Sequence, residues 1–265
     1  MMMAGCVGGQ VSTGKVPPVH GPTSTSGGLI LIAHRGAWRV FPESSAEAFA
    51  AMAGTAYPIE FDLRRLSDGT LVPSHDATAD RIMQGISGPL DRINPDQWRG
   101  ASIRSQDGTS LGTPTTWDEI LERYGGKTVL VPELKRPVTD LAGFIASILD
   151  RGIQDTVIVQ SADYEVCQEL AAAGLRTVLV IQGGQPVPTQ IKADGIGHVA
   201  VSRDLPASYF KELKDAGLEI WVFLVNRAGP LQEYLDRGVA GVFTDDPWKL
   251  EEELAESGRT VAGGP

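Results

Sequence analysis

The chain has 265 residues, 42% of them hydrophobic and 21% charged, enough for one large α/β domain with a full core. Its net charge of −10 argues against nucleic acid as a partner and against simple electrostatic attachment to anionic lipid, because an acidic surface repels polyanions. The two cysteines, Cys6 and Cys167, have no metal-type spacing and require no disulfide framework, and no apolar run is long enough to span a membrane.

Met3-Ala4-Gly5-Cys6 matches the end of a bacterial lipoprotein cleavage motif, without the charged and apolar segments that precede a complete one. Read as the remnant of such a signal, it predicts a cell-surface or secreted protein; read as a chance match, a cytoplasmic one. Residues 1–28 read as a flexible leader, rich in Gly, Ser, Thr and Pro without period. Residues 29–258 read as a single domain and 259–265 as a tail.

From residue 29 onward, short apolar runs alternate with helical patterns. Strands are predicted at 29–33, 59–63, 128–134, 156–159, 176–181, 198–201, 219–225 and 239–243. Helices are predicted at 45–53, 117–123, 139–151, 164–173, 207–216 and 230–237, with Cys167 as a packed thiol. This alternation predicts a parallel sheet with helical crossovers, and the number of strands favours a closed (β/α)8 TIM-type barrel. No glycine-rich nucleotide-binding motif follows any strand. Residues 77–127 break the rhythm and read as an insertion on the barrel rim with a helix at its end.

Glu60 and Asp62 are i and i+2 in a strand, so they share a face. Two carboxylates there are costly to bury unpaired. A hard divalent cation, Mg²⁺ or Ca²⁺, removes that cost; a solvated face, or an ion pair with Arg64 or Arg65, is the alternative. Asp68-Gly69 is a hairpin signal. Taken as a two-residue loop, it pairs Ser67 with Thr70 and therefore Asp62 with His75, setting that histidine beside the acids. His34 closes the first strand, where barrels gather reacting groups, and suits proton transfer. Arg35 offers a fork of donors for a phosphate, and Gly36 permits a close backbone turn. Glu133 and Lys135 repeat the i, i+2 spacing: a third acid for a metal and a cation for a phosphate oxygen, or else a strand-end ion pair. Pro132 is expected near the end of its strand, because it removes a ladder donor.

The ordered set His34-Arg35-Gly36, Pro42-Glu43, Glu60-x-Asp62, Asp68-Gly69, His75-Asp76, Glu133-x-Lys135, Gln160-Ser161 and Gly241-Val-Phe-Thr-Asp245 resembles the glycerophosphodiester phosphodiesterase family across nearly all of residues 29–250. The resemblance implies a (β/α)8 barrel and divalent-metal-dependent hydrolysis of a small-molecule glycerophosphodiester. It implies His34 and His75 as the acid–base pair, and Glu60, Asp62 and Glu133 as metal ligands. It further implies Arg35 and Lys135 as phosphate-binding groups, with Glu43, Gln160 and Phe223 around the substrate pocket. Three positions depart from the family pattern: Ser44-Ser45 replaces Asn-Thr, Phe223-Leu-Val-Asn226 replaces Trp-Thr-Val-Asn, and Ser161-Ala162 replaces Ser-Phe. These departures bear on substrate choice more than on chemistry. Rival readings are a phospholipase D-like lyase, which would release a cyclic phosphate, a teichoic-acid hydrolase, and a phosphate-binding module with a dead site. The sequence says nothing of the head group or the oligomeric state.

Overall fold

The computed structural model describes residues 28–258. The leader with Cys6 and His20, and the tail, lie outside them. The chain runs β1 (Ile30–Ala33), α1 (Ala46–Met52), β2 (Ile59–Arg65), β3 (Leu71–Pro73), β4 (Met83–Gln84), α2 (Pro95–Gly100), β5 (Ser102–Arg104), β6 (Leu111–Gly112), α3 (Trp117–Tyr124) and β7 (Leu130–Leu134). It continues through α4 (Leu141–Leu149), β8 (Ile158–Ser161), α5 (Tyr164–Ala172), β9 (Arg176–Ile181), α6 (Pro188–Ala193), β10 (His198–Ser202), α7 (Ala207–Asp215), β11 (Glu219–Phe223), α8 (Leu231–Asp236), β12 (Val239–Thr244) and α9 (Pro247–Glu256). Eight strands hydrogen-bond in parallel in the order β1-β12-β11-β10-β9-β8-β7-β2, and β1 pairs again with β2 to close the ring. This is the (β/α)8 barrel that the strand–helix alternation predicts.

Strand periodicity divides the core in two. Alternate residues face the helices: Leu31 and Ala33, Ile59, Phe61 and Leu63, and Val199 and Val201 belong to the layer between strands and helices. The other set faces inward, where Ile30 and Ile32, Val129 and Val131, Val178 and Val180, Trp221 and Phe243 fill the barrel. Trp221 has room because β12 carries Gly241 opposite it; a Cβ there would stand 2.8 Å from the indole Cδ1. Continued toward the strand C-termini, the inward set becomes polar: His34, Glu60 and Asp62, Glu133 and Lys135, Gln160 and Asp245. Cys167 is fully buried, and burial pushes its thiol up to about 12.

Residues 77–127 hold the expected helix at their end, α3, and more besides: β4, β5 and β6 form an antiparallel sheet that packs with α2 around Ile82, Met83, Trp98 and Ile103. Strands of two or three residues are too short to show a period in the sequence. Pro132 sits at the centre of β7 opposite Phe61, not near its end. Its missing N–H is tolerated where the β7–β8 ladder is thin, pairing only at Glu133↔Gln160 and at a bridge between Leu130 and Val157.

A second expectation, besides that for Pro132, is corrected at the hairpin. Observed pairs are Leu63↔Pro73, Arg64↔Val72 and Arg65↔Leu71, a register one residue away from that expected for a two-residue loop. The loop has three residues, Ser67-Asp68-Gly69, closed by Gly69 N–H to Leu66 O and Leu66 N–H to Thr70 O, with Gly69 at φ +95°. His75 is therefore not paired with Asp62; Ser74 donates its amide to Asp62 O instead. His75 reaches the site because β3 ends at Pro73, so the strand parity rule no longer binds it. The Arg64 guanidinium pins its carbonyl at 2.7 Å.

Candidate active site

A cavity of about 170 Å³ opens at the C-terminal end of the barrel. His34, Arg35, Glu60, Asp62, His75, Glu133, Lys135, Gln160 and Phe223 all line it. Glu43 does not: it is buried behind Arg35, whose Nη1 donates to its Oε1 at 3.2 Å.

The turn after β1 is tight and left-handed. Arg35, Gly36 and Ala37 have φ of +50°, +70° and +63°, which is uncommon outside glycine and is sustained only where the surroundings fix it. One fixing contact is the Arg35 amide, which donates to Glu60 Oε2 at 2.9 Å. Another is the approach of Gly36 to Ala48, whose Cβ would lie 2.9 Å from a Cβ at position 36. The close turn expected at Gly36 is thus present. Ser44 also has a positive φ, +52°, which accounts for the family's asparagine at this position, since Asn tolerates that region better than Ser. Ser45 caps α1, accepting from the Ala48 amide.

Glu60, Asp62 and Glu133 are all buried, and their ligand oxygens lie within 4.8 Å of one another. Burial, and then the neighbouring charge of Asp62, raise the Glu60 carboxyl well above its usual range. Burial also raises Glu133, against the pull of Lys135. Burial pushes Asp62 the same way, but Lys135 and Arg35 more than offset it and hold this carboxyl below its ordinary value. Lys135 Nζ lies 2.8 Å from Asp62 Oδ1 and 2.7 Å from Glu133 Oε1. Arg35 Nε stands 3.4 Å from Asp62 Oδ2, yet neither atom has a hydrogen-bond partner among the described residues. A buried carboxylate oxygen without a donor, beside two further acids, suits a hard divalent cation. The donor set fits Mg²⁺ or Ca²⁺ better than zinc, which favours His and Cys.

Each of the two cavity histidines is held through Nδ1 by a carboxylate. His34 Nδ1 lies 2.6 Å from Asp245 Oδ1, and His75 Nδ1 lies 2.8 Å from Asp76 Oδ1. A carboxylate acceptor fixes the proton of a neutral imidazole on Nδ1 and leaves Nε2 as the group available to substrate. Asp245 is itself fixed: Trp38 Nε1 donates to Oδ1 at 2.6 Å, Asn226 Nδ2 to Oδ2 at 2.7 Å, and the Asp245 amide donates back to Asn226 Oδ1. Burial works to raise its carboxyl, but the hydrogen bonds from His34, Trp38 and Asn226 keep it below the usual range.

The sequence motifs contain Asp76 and Asp245 with no role for either, and Trp38 belongs to no motif. For Asp245 a signal existed: it follows β12 on the inward parity of Gly241 and Phe243. Trp38 lies in a loop, beyond the reach of periodicity. Phe223, in place of tryptophan, still lines the cavity, and Asn226 is kept where it braces Asp245.

The family model described as "Glycerophosphoryl diester phosphodiesterase family" matches residues 34–249. A curated relative from Caldanaerobacter subterraneus subsp. tengcongensis, named glycerophosphodiester phosphodiesterase, is 26% identical over 232 residues, spanning 83% of this chain and 96% of its own. One of the same name from Bacillus subtilis is 26% identical over 247 residues, spanning 83% and 84%. Among solved structures, a glycerophosphodiester phosphodiesterase from Agrobacterium tumefaciens superposes with a TM-score of 0.69 at 23% identity, covering 84% of this chain and 98% of that one. A phosphodiesterase from Oleispira antarctica, in complex with the product sn-glycerol-3-phosphate, gives 0.69 at 17% identity, covering 88% and 99%. At these identities the structural likenesses speak to the barrel.

Proposed function

The chain belongs to the glycerophosphoryl diester phosphodiesterase family, and from that premise we propose that it hydrolyses glycerophosphodiesters to glycerol 3-phosphate and an alcohol. The observation that carries the reading is one cavity lined by both histidines, three buried carboxylates, Arg35 and Lys135. The names of the curated relatives and the product bound in the Oleispira antarctica neighbour agree with it.

Glu60, Asp62 and Glu133 would hold a divalent cation, Mg²⁺ or Ca²⁺. Such an ion, when bound, neutralises phosphoryl charge that the protein's own cations meet only in part. Arg35 and Lys135 bind the non-bridging phosphate oxygens and orient the diester. The Nε2 of one histidine removes a proton from the attacking hydroxyl or water. The Nε2 of the other delivers a proton to the departing alcohol oxygen. Asp245 and Asp76 keep both rings in the required orientation throughout. Gln160 and Phe223 shape the wall, and Glu43 serves from behind by steadying Arg35. We extend the reading to organisation: residues 29–258 act as one catalytic unit, with the rim insertion bordering the substrate entrance.

The deciding experiment is hydrolysis of glycerophosphocholine with Mg²⁺, with Ca²⁺ and with EDTA, followed by ³¹P NMR. Glycerol 3-phosphate formed only with metal is the expected result. Full turnover after thorough chelation would remove the metal, and accumulation of a cyclic phosphate would make the enzyme a lyase.

A further inference from the structure

Arg81 lies in the turn just before β4, outside the catalytic cavity, on a neighbouring groove of about 500 Å³ that it shares with Trp38 and Glu43. Its guanidinium is spent on two carboxylates at once. Nη1 and Nη2 donate to Glu43 Oε2 and Oε1 at 2.7 and 3.0 Å, a forked pair, while Nε donates to Asp76 Oδ2 at 2.5 Å. Each acid spends its remaining capacity on a group that faces the cavity. Glu43 Oε1 also accepts from Arg35 Nη1 at 3.2 Å, and Asp76 Oδ1 lies 2.8 Å from His75 Nδ1. One continuous chain of charge-assisted bonds therefore runs Arg35–Glu43–Arg81–Asp76–His75.

The anchor of that chain is the rim insertion. Arg104 of β5 donates its amide to Ile82 O at 2.7 Å, and its Nη2 reaches Arg81 O at 3.3 Å. Ile82, the next residue, is buried in the small core that the insertion builds with Leu66 and Val72 of the β2–β3 hairpin. We propose that Arg81 is a positioning residue that fixes Arg35 and His75 relative to one another and ties both to the rim insertion. The proposal rests on the roles given above to Arg35 and His75. A guanidinium is required for geometric reasons: its planar fork matches Glu43, and its third edge serves Asp76. The ammonium of a lysine is a point donor and satisfies one carboxylate at the expense of the other.

The test compares wild type with Arg81→Ala, Arg81→Lys, Glu43→Gln and the double variant Arg81→Ala/Glu43→Gln, using Arg92→Ala as an insertion control. Steady-state hydrolysis of glycerophosphocholine and thermal melting are measured for each. In Arg81→Ala, kcat should fall about 10–100-fold, the scale of a small misplacement of reacting groups, with a melting temperature within a few degrees of wild type. Arg81→Lys should recover little of this, whereas free guanidinium ion added at low concentration should restore part of it to Arg81→Ala and nothing to wild type. The double variant should lose less than the product of the single losses, because both act on Arg35. An increase in KM with kcat and the His75 Nδ1 resonance both unchanged would leave Arg81 without effect on His75 and overturn the proposal. So would unaltered kinetics, or a loss that follows the melting temperature and ignores guanidinium. A second readout does not depend on turnover: ¹⁵N-histidine NMR, with the His75 signal assigned through His75→Gln. If wild type fails to hydrolyse the substrate, the functional reading falls but this measurement still decides. A His75 Nδ1 resonance displaced in Arg81→Ala supports the proposal; an unchanged one overturns it.

Discussion

Asp245 accepts hydrogen bonds from His34, Trp38 and Asn226 on two oxygens, so its charge and its direction are both fixed. Asp245→Asn keeps the shape but offers His34 Nδ1 an amide in place of a charged acceptor. We expect kcat to fall about 10²-fold or more with melting behaviour little changed. His34→Ala and His75→Ala should lose at least as much, while His198→Ala, at the opposite end of the barrel, should lose almost nothing. The buried acids of the site differ in the sign of their shifts. The native Asp245 carboxyl is depressed, so its stabilising contribution is complete above the ordinary carboxylate pKa and is lost as pH falls through the native value. The native Glu60 carboxyl is raised, so without metal the folded state holds a proton longer than the unfolded one, and stability declines as pH rises through the native value. Glu60→Gln should therefore raise the melting temperature of metal-free protein at neutral pH while abolishing activity. A metal-free variant that melts below wild type at neutral pH would contradict this.

Two glycines separate the reasons an element needs one. Gly69 sits at φ +95° in the hairpin loop, with open space around the position of a Cβ. Gly69→Ala should cost about 1–2 kcal/mol from backbone conformation alone. Gly241 in β12 has an ordinary φ but no space, because a Cβ would press on Trp221. Gly241→Ala should cost about 1–3 kcal/mol through overpacking, and should quench or shift Trp221 fluorescence where Gly69→Ala does not. The hairpin also shows how far sequence reasoning reaches. Asp68-Gly69 marks a turn, and alternation puts Glu60 with Asp62, and Glu133 with Lys135, on one face of each strand; the structure brings the two pairs to one cavity. The register was one residue off, because a dipeptide signal does not distinguish a two-residue loop from a three-residue loop ending in a left-handed glycine. His75 was still placed in the site, by its motif and not by the pairing offered to explain it. Helix α9 is not among the elements predicted from alternation, although Asp246-Pro247 supplies an N-cap and a first-turn proline, and it buries Leu250 and Leu254.

At the scale of the molecule, the proposed metal site would make stability and metal binding one equilibrium. A cation held only by the folded site at 100 times its Kd adds about 2.7 kcal/mol, or about 5–10 °C in melting temperature for a domain of this size. EDTA should remove that increment and Asp62→Asn should abolish it, as differential scanning calorimetry would show; a melting temperature indifferent to Mg²⁺ and Ca²⁺ would count against the site. The barrel's seam has a different consequence. β1 closes against β12, and the bond from His34 to Asp245 joins residues 211 apart in sequence. The first histidine thus acquires its partner only when the last barrel strand has been made and docked. A nascent chain still lacking β12 already holds Glu60, Asp62, Glu133, His34 and His75, yet on the proposed mechanism it should be silent. During refolding, recovered turnover should trail the return of helical signal, making activity a clock for ring closure.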